Sequence, residues 1–319
     1  MEIEILDKKN IESYNELALN YGSLFNKYDW LKLFENISIY GIYEGSHLIG
    51  GFHLYKENKF GLSIYKNPPF TPSIGPFLKI EAQNIVKITS KTREAFMVMA
   101  ELLDKLNYDI ISVSLSRKYI DALPFIWKKF KVVPGYTYII DLNMPLDNIQ
   151  KMMSPERRND ISKSLKDHLD VEKIYDFNLV KNLIIKTFSR QKKSLNYHYL
   201  NKILFNYAND KNSYAFATFY KDKPIAAIFC VFDKTTAYYL LGGYDYEYKH
   251  HGAGALAIWE AIKYSKEIGL KYFDFEGSII PQIERYFRGF GGILTPYYRI
   301  NKAKLLFEIL LKFFKREIF

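Results

Sequence analysis

The residues best suited to chemistry lie between Tyr238 and Gly292. Lys249-His250-His251-Gly252-Ala253-Gly254 runs directly into a segment with helical spacing. A glycine-containing loop that feeds a helix N-terminus presents unpaired backbone N–H groups at the positive end of the helix dipole, a ready site for phosphate. Gly252 and Gly254 carry no side chain to block approach, and Lys249, His250 and His251 add positive charge or donors. Further on, alternation along Leu270–Glu276 puts Tyr272, Asp274 and Glu276 on one strand face and Phe273 and Phe275 on the other. Two carboxylates near a strand end, followed by the turn Gly277-Ser278, suit an amine: they hold an ammonium and can take its proton. The plainer role for Asp274 is to accept backbone hydrogen bonds.

Cationic side chains recur elsewhere. Arg157 and Arg158 open a helix charged all round, and Arg190 stands beside Lys192 and Lys193. Each suits either a phosphate or bulk solvent, as do Arg285 and Arg288. The formal net charge of +10 favours anionic partners, whether CoA, a nucleotide sugar, tRNA or anionic lipid, without choosing among them. The single cysteine, Cys230, sits in the apolar run Ile225–Phe232 and reads as a buried core thiol. No Cys/His spacing suggests a metal. The start of the sequence lacks the regions of a signal peptide, and no apolar run approaches the ~20 residues that span a bilayer, so a cytoplasmic protein is expected.

These residues need positioning, and the elements around them recur. In the second half, Ser213–Tyr220 and Ile225–Phe232 read as a hairpin and Ala237–Leu241 as a third strand ending at Gly242-Gly243. Ala253–Ile268 reads as a helix stopped by Gly269, and Leu270–Phe275 as a final strand. In the first half, Ser38–Tyr43, Leu48–Tyr55 and Phe60–Tyr65 read as strands. A loop rich in proline, Ala95–Leu106 as a helix and Tyr108–Leu115 as a strand follow. The same order twice, in 319 residues that are 48% hydrophobic, predicts two related α/β halves, each a mixed sheet with helices packed on it. Phe125–Lys129 reads as a helix and Tyr136–Leu142 as a strand. Lys302–Phe319 reads as a basic amphipathic helix, with Lys304, Glu308, Lys312 and Lys315 along one side, packed back on a domain or lying on a membrane surface.

Lys249-x-x-Gly252-x-Gly254 resembles the acyl-CoA pyrophosphate loop of the GNAT acetyltransferases, with Lys where that pattern has Gln or Arg. The wider match is to the Fem-type peptidyltransferases and their acetyltransferase-like relatives. It rests on Phe273-Asp274-Phe275-Glu276-Gly277-Ser278 with Ile283 to Gly292, on Ser154-Pro155-Glu156-Arg157-Arg158-Asn159, on Thr187-Phe188-Ser189-Arg190-Gln191 and on the Phe25–Trp30 region. The resemblance implies two tandem GNAT-like domains, 1–142 and 143–301, with the helix 302–319 returning to the first; the first is expected on the acceptor side and the second on the donor side. It implies strands that splay near Gly242-Gly243 to admit the donor, Ala253 within the donor loop, and Tyr244, beside the splay, as a possible general acid. Many Fem-type members carry Lys at the position of Phe287, where it is implicated in stabilising charge during transfer.

The expected function is therefore N-acyl transfer from acyl-CoA, acetyl-CoA foremost, to an amine such as an amino sugar or a cell-envelope precursor. Glu276 with Asp274 would receive the amine, and the arginines would contact phosphates. The alternatives are an aminoacyl-tRNA-dependent transferase extending a peptidoglycan precursor and a non-catalytic binding protein. The expected location is the cytoplasm or the inner face of the membrane. The first-half loop Lys66–Pro76, crowded with proline, offers few N–H groups to a phosphate and is expected to serve the acceptor rather than the donor.

Overall fold

The computed structural model describes residues 1–7, 9–248, 250–277 and 279–316. The chain divides into two compact units: residues 1–135 with the described residues from Pro296 on, and Tyr136–Thr295. The sequence had suggested boundaries at 142/143 and 301/302. The divisions fall instead inside two long strands, because each strand is one element that serves both units.

The first unit begins with β1 (Glu2–Ile5), α1 (Ile11–Tyr21), α2 (Tyr28–Leu31), β2 (Ile37–Glu44), β3 (His47–Lys59) and β4 (Leu62–Lys66). It continues with β5 (Phe77–Leu78), α3 (Ile85–Lys105), β6 (Ile110–Ser114), α4 (Leu123–Trp127) and the start of β7 (Lys131–Asp141). The second unit holds α5 (Leu146–Met152), α6 (Pro155–Lys166), β8 (Asp170–Ile174), α7 (Phe177–Arg190), α8 (Tyr197–Asn201), β9 (Ser213–Tyr220) and β10 (Lys223–Phe232). After these come β11 (Thr236–Tyr244), α9 (Ala253–Glu267), β12 (Tyr272–Asp274) and α10 (Pro281–Arg288). The chain returns to the first unit through β13 (Ile293–Ala303) and α11 (Leu305–Phe314).

The first unit's strands run in the order β1-β2-β3-β4-β6-β13, with β5 on β3, and the second unit's in the order β7-β12-β11-β10-β9-β8. In each unit most neighbours are antiparallel and one central pair is parallel: β4 with β6, and β11 with β12. Phe52, Phe96, Met99, Val113 and Phe125 fill the first core, and Ile228, Leu256, Ile262, Phe273 and Phe290 the second. The expected mixed sheet flanked by helices is found in each unit.

Several elements differ from their sequence reading. α3 starts at Ile85 rather than Ala95, because the Asn84 side chain accepts from the amides of Val86 and Lys87 and caps a polar first half. Phe60 and Gly61 form the turn before β4, both with positive φ, instead of belonging to the strand. Gly242 and Gly243 do not end β11 but lie within it, paired with Ile228 and Ala227. They are needed for close approach: a Cβ on Gly243 would collide with the backbone of α7 at Leu183, and one on Gly242 with the Tyr239 hydroxyl. β12 stops at Asp274. The predicted helix from Lys302 begins at Leu305, since Lys302 and Ala303 still pair with β6.

In the first unit, β4 and β6 pair from Ile64↔Ile110 to Lys66↔Ser112. Beyond that point the chain closes its own gap. The Ser114 amide donates to Asn67 Oδ1 at 2.9 Å, the Ile74 amide donates to the Ser114 carbonyl at 2.8 Å, and Asn67 Nδ2 donates to the Pro72 carbonyl at 2.7 Å.

Candidate functional site

In the second unit the equivalent parallel pair also parts. β11 and β12 pair through Thr236↔Tyr272, Ala237↔Phe273 and Tyr238↔Asp274, while β11 stays with β10 as far as Tyr244↔Ala226. The departure thus starts at Tyr239, ahead of the glycine pair. Aromatic side chains cluster where it starts: Tyr239 meets Phe287 edge-on with centroids 5.4 Å apart, and Phe275 lies 5.0 Å from Phe287 and 5.4 Å from Phe290. Burial pushes the Tyr239 hydroxyl far above the ordinary tyrosine range, so it stays protonated.

The loop from Tyr244 to Gly252 is clamped by its own side chains. The His250 amide donates to the Tyr244 hydroxyl at 2.7 Å, and that hydroxyl donates to the His250 carbonyl at 3.2 Å. Tyr244 is thereby committed to loop structure, and burial raises its pKa. The His250 ring accepts from the Gly252 amide through Nδ1 at 3.2 Å and meets Asp167 through Nε2 at 2.9 Å. That hydrogen bond, with Lys163, holds the Asp167 carboxyl below its usual range. Of the loop's N–H groups, those of Gly252 and Ala253 therefore already have acceptors in His250. Gly254 begins the part of α9 still suited to an anion.

The two loop glycines serve different ends. A Cβ on Gly252 would collide with the Asp160 carbonyl and Ser164 Oγ of α6, so Gly252 is required for helix–helix contact. A Cβ on Gly254 would stand 3.0 Å from the Tyr286 hydroxyl, a tight contact with a side-chain tip rather than with backbone, so Gly254 is less confined than Gly252. Lys249 and Ser278 lie outside the described residues, and His251 is exposed at the loop surface. A cavity of about 470 Å³, lined by Lys166, Asp167, His168, Tyr220, Tyr248 and His250, opens on the same loop.

The carboxylates do not share a strand face. Asp274 is buried and accepts from Thr137 Oγ1 at 2.6 Å and from the Glu276 amide at 2.9 Å. This side-chain-to-backbone bond turns the chain and ends the strand. Glu276 then takes a left-handed φ of +58°, and a Cβ on the following Gly277 would collide with the Tyr136 carbonyl. The alternation predicted through Glu276 fails because Asp274 makes a turn. A non-glycine residue held at positive φ costs roughly 1–3 kcal/mol, which marks Glu276 as a residue set in place.

Each predicted arginine has a partner in its own unit. Arg157 is buried, bonded to Glu156 and Asp160 at 2.9 Å, with its guanidinium 4.4 Å from the Tyr286 ring centroid. Burial raises the Asp160 pKa, against the pull of Arg157. Arg158 donates to the carbonyls of Lys151 and Met153 at the end of α5. Arg285 meets Glu156 at 3.3 Å and Arg288 meets Glu284 at 3.1 Å, both at the surface. Arg190 lies over Tyr246 at 3.8 Å.

That last contact belongs to a lock the sequence reading missed. Thr187 Oγ1 accepts from the Tyr244 amide at 2.7 Å, and Lys186 pairs at 2.5 Å with Asp245, whose carboxyl burial pushes up but Lys186 holds below its usual range. The end of α7 thus fixes the end of β11. The one available signal was the Thr187–Gln191 family segment.

The family model described as "Acetyltransferase (GNAT) domain" matches residues 208–288, which span β9 to α10. Among curated proteins, none matches this chain in sequence. Among solved structures, FemX is similar with a TM-score of 0.67 at 12% identity, covering 97% of this chain and 100% of that one. The C-terminal domain (DUF2156) of a protein provisionally described as a lysylphosphatidylglycerol synthetase, from Agrobacterium fabrum, has a TM-score of 0.61 at 10% identity, covering 95% and 96%. A tandem GNAT protein from the clavulanic acid biosynthesis pathway has a TM-score of 0.52 at 9% identity, covering 94% and 98%. With a match to the GNAT domain model in its second unit and this likeness along its length, the chain has a tandem GNAT fold.

Proposed function

We propose that the protein transfers an acyl group from acyl-CoA to an amine, with the donor held by the second unit. The observation that carries this reading is the parting of β11 from β12 at Tyr239, just ahead of a glycine-bearing helix start. A donor arm entering there would lie along the free edge of β11, with its phosphates toward the first turn of α9 at Gly254. In the reaction the amine nitrogen attacks the thioester carbonyl carbon, a C–N bond forms, the C–S bond breaks, and CoA leaves as the thiolate, which finally takes up the proton that the amine loses. Glu276, fixed by Asp274, takes the proton the amine must lose. Asp274 positions it, and Tyr244 and His250 shape the loop.

Acetyl-CoA is the donor we favour, over aminoacyl-tRNA. Where many Fem-type enzymes carry a lysine, this chain has Phe287, buried between Tyr239 and Phe275 and unable to stabilise charge. The likeness to FemX over 97% of the chain supports the second reading, aminoacyl transfer from tRNA to an envelope precursor. The first unit, whose own strand gap is closed, is assigned to the acceptor, an amino sugar or a lipid-linked envelope precursor met in the cytoplasm or at the inner membrane face. Titrating acetyl-CoA and, separately, aminoacyl-tRNA into the protein and its Gly254→Glu variant tests this. Acetyl-CoA should bind and Gly254→Glu should weaken it at least roughly tenfold, since a carboxylate then stands at the phosphate position. Binding of aminoacyl-tRNA alone would favour the second reading.

A further inference from the structure

Helix α11 is built the wrong way round for a surface helix of a water-soluble unit. Leu306, Ile309, Leu310, Phe313 and Phe314 recur at the spacing that normally turns a helix toward a core. Here that stripe faces outward: Leu306 is 65% exposed, Phe313 80% and Phe314 79%, while Phe307, Glu308 and Leu311 on the other side are half-buried. The helix base is anchored. Lys304 Nζ pairs with Asp109 at 2.7 Å, and Lys302 Nζ pairs with Asp104 at 2.5 Å and donates to the Lys128 carbonyl at 2.9 Å. The last of these contacts ties the end of β13, just before α11, to the end of α4, where Ile126 and Trp127 are 50% and 54% exposed. Exposed cations rim this apolar ground: Lys129 at the end of α4, and Lys312, Lys315 and Arg316 on or after α11. Glu308 is the only acidic residue of α11, and it is paired with Lys312.

We propose that this face docks on an anionic lipid surface, with the α11 stripe and Trp127 entering the headgroup boundary and the cations meeting lipid phosphates. Aromatic and branched apolar groups beside lysine and arginine, with Glu308 paired to Lys312, complement an anionic bilayer rather than a protein groove. Among the described residues no helix is long and apolar enough to cross a membrane, so the contact is peripheral. The proposal does not rest on the acyl-transfer reading.

Trp127 makes the test clean, because the other tryptophans, Trp30 and Trp259, are buried. The protein is mixed with vesicles of equal phosphatidylcholine and phosphatidylglycerol, and with phosphatidylcholine vesicles alone. We expect sedimentation with the anionic vesicles, a blue shift of tryptophan emission, and quenching by brominated lipid. Binding should weaken roughly fivefold for each cation removed in Lys315→Ala and Arg316→Ala. It should fall roughly tenfold or more in the double variant Phe313→Ser, Phe314→Ser, with the thermal midpoint unchanged. The proposal is overturned if the protein ignores anionic vesicles or if the double variant binds them equally well. It is also overturned if that variant loses a dimer seen by light scattering without affecting vesicles, which makes a second copy the occupant. A drop in its thermal midpoint would overturn it too, since the stripe would then cover this chain itself.

Discussion

The two units solve one structural problem in opposite ways. Each has a central parallel strand pair that holds for a few residues and then parts. In the first unit hydrogen bonds close the gap: the Ile74 amide reaches the Ser114 carbonyl, and the Asn67 side chain bridges Ser114 to Pro72. In the second, β11 runs on from Tyr239 beside β10, and the rings of Tyr239, Phe275, Phe287 and Phe290 pack together where it departs. Rings can shift rotamer to admit a ligand; a loop tied by backbone hydrogen bonds must break them first. Duplicated topology therefore does not imply duplicated function.

The sharpest way to probe the open side is its carboxylate. Glu276→Gln should lower acyl-transfer turnover by about 10²–10⁴-fold while acetyl-CoA affinity stays within about twofold, measured by steady-state kinetics and calorimetry. Full activity would move the base elsewhere. Next in size is Gly252→Val, whose side chain meets the α6 backbone at Asp160 and Ser164. It should cost about 3 kcal/mol or more in urea unfolding, whereas Gly254→Ala should cost under about 1 kcal/mol. Equal costs would contradict the distinct roles of the two glycines.

On the closed side, Asn67→Ala should destabilise the first unit by about 1–3 kcal/mol without creating CoA binding there. A second CoA site in that variant would mean that closure alone separates the units. The closed side also has a pH dependence. His53 is wholly buried on β3, and burial pulls its imidazole down to about 3. Its folded pKa lies below its unfolded value of 6.5, so only the unfolded chain takes up its proton between those values. Its contribution to stability is therefore full above pH 6.5 and declines toward pH 3, with a limiting slope of about 1.4 kcal/mol per pH unit. His53→Leu should flatten that limb for the first unit; an unchanged slope would assign the acid sensitivity to carboxylates.

Much of this was legible in the sequence. The doubled order of strands, the loop feeding α9 and the glycine stop at Gly269 follow from local periodicity and backbone preference. What stayed hidden depends on contacts distant in sequence. Gly242 and Gly243 read as a strand end because a glycine pair usually marks a turn, yet α7 and Tyr239 make them glycine. Glu276 read as strand because its alternation was intact, and only the Asp274 carboxylate, accepting its amide, turns the chain. The arginines read as phosphate ligands, but Arg157 and Arg158 are spent on Glu156, Asp160 and the end of α5, partners that composition does not reveal. The apolar stripe of α11 was visible, but its outward direction was not.

The account's central claim is that one unit opens for the donor and the other does not. Hydrogen exchange read by mass spectrometry, with and without saturating acetyl-CoA, reports on both gaps in one experiment. Binding should slow exchange across residues 239–256, from the parting of β11 into the first turn of α9, and leave 64–76 and 112–116 unchanged. Protection of the first unit's segments instead, or of both sets alike, would contradict it.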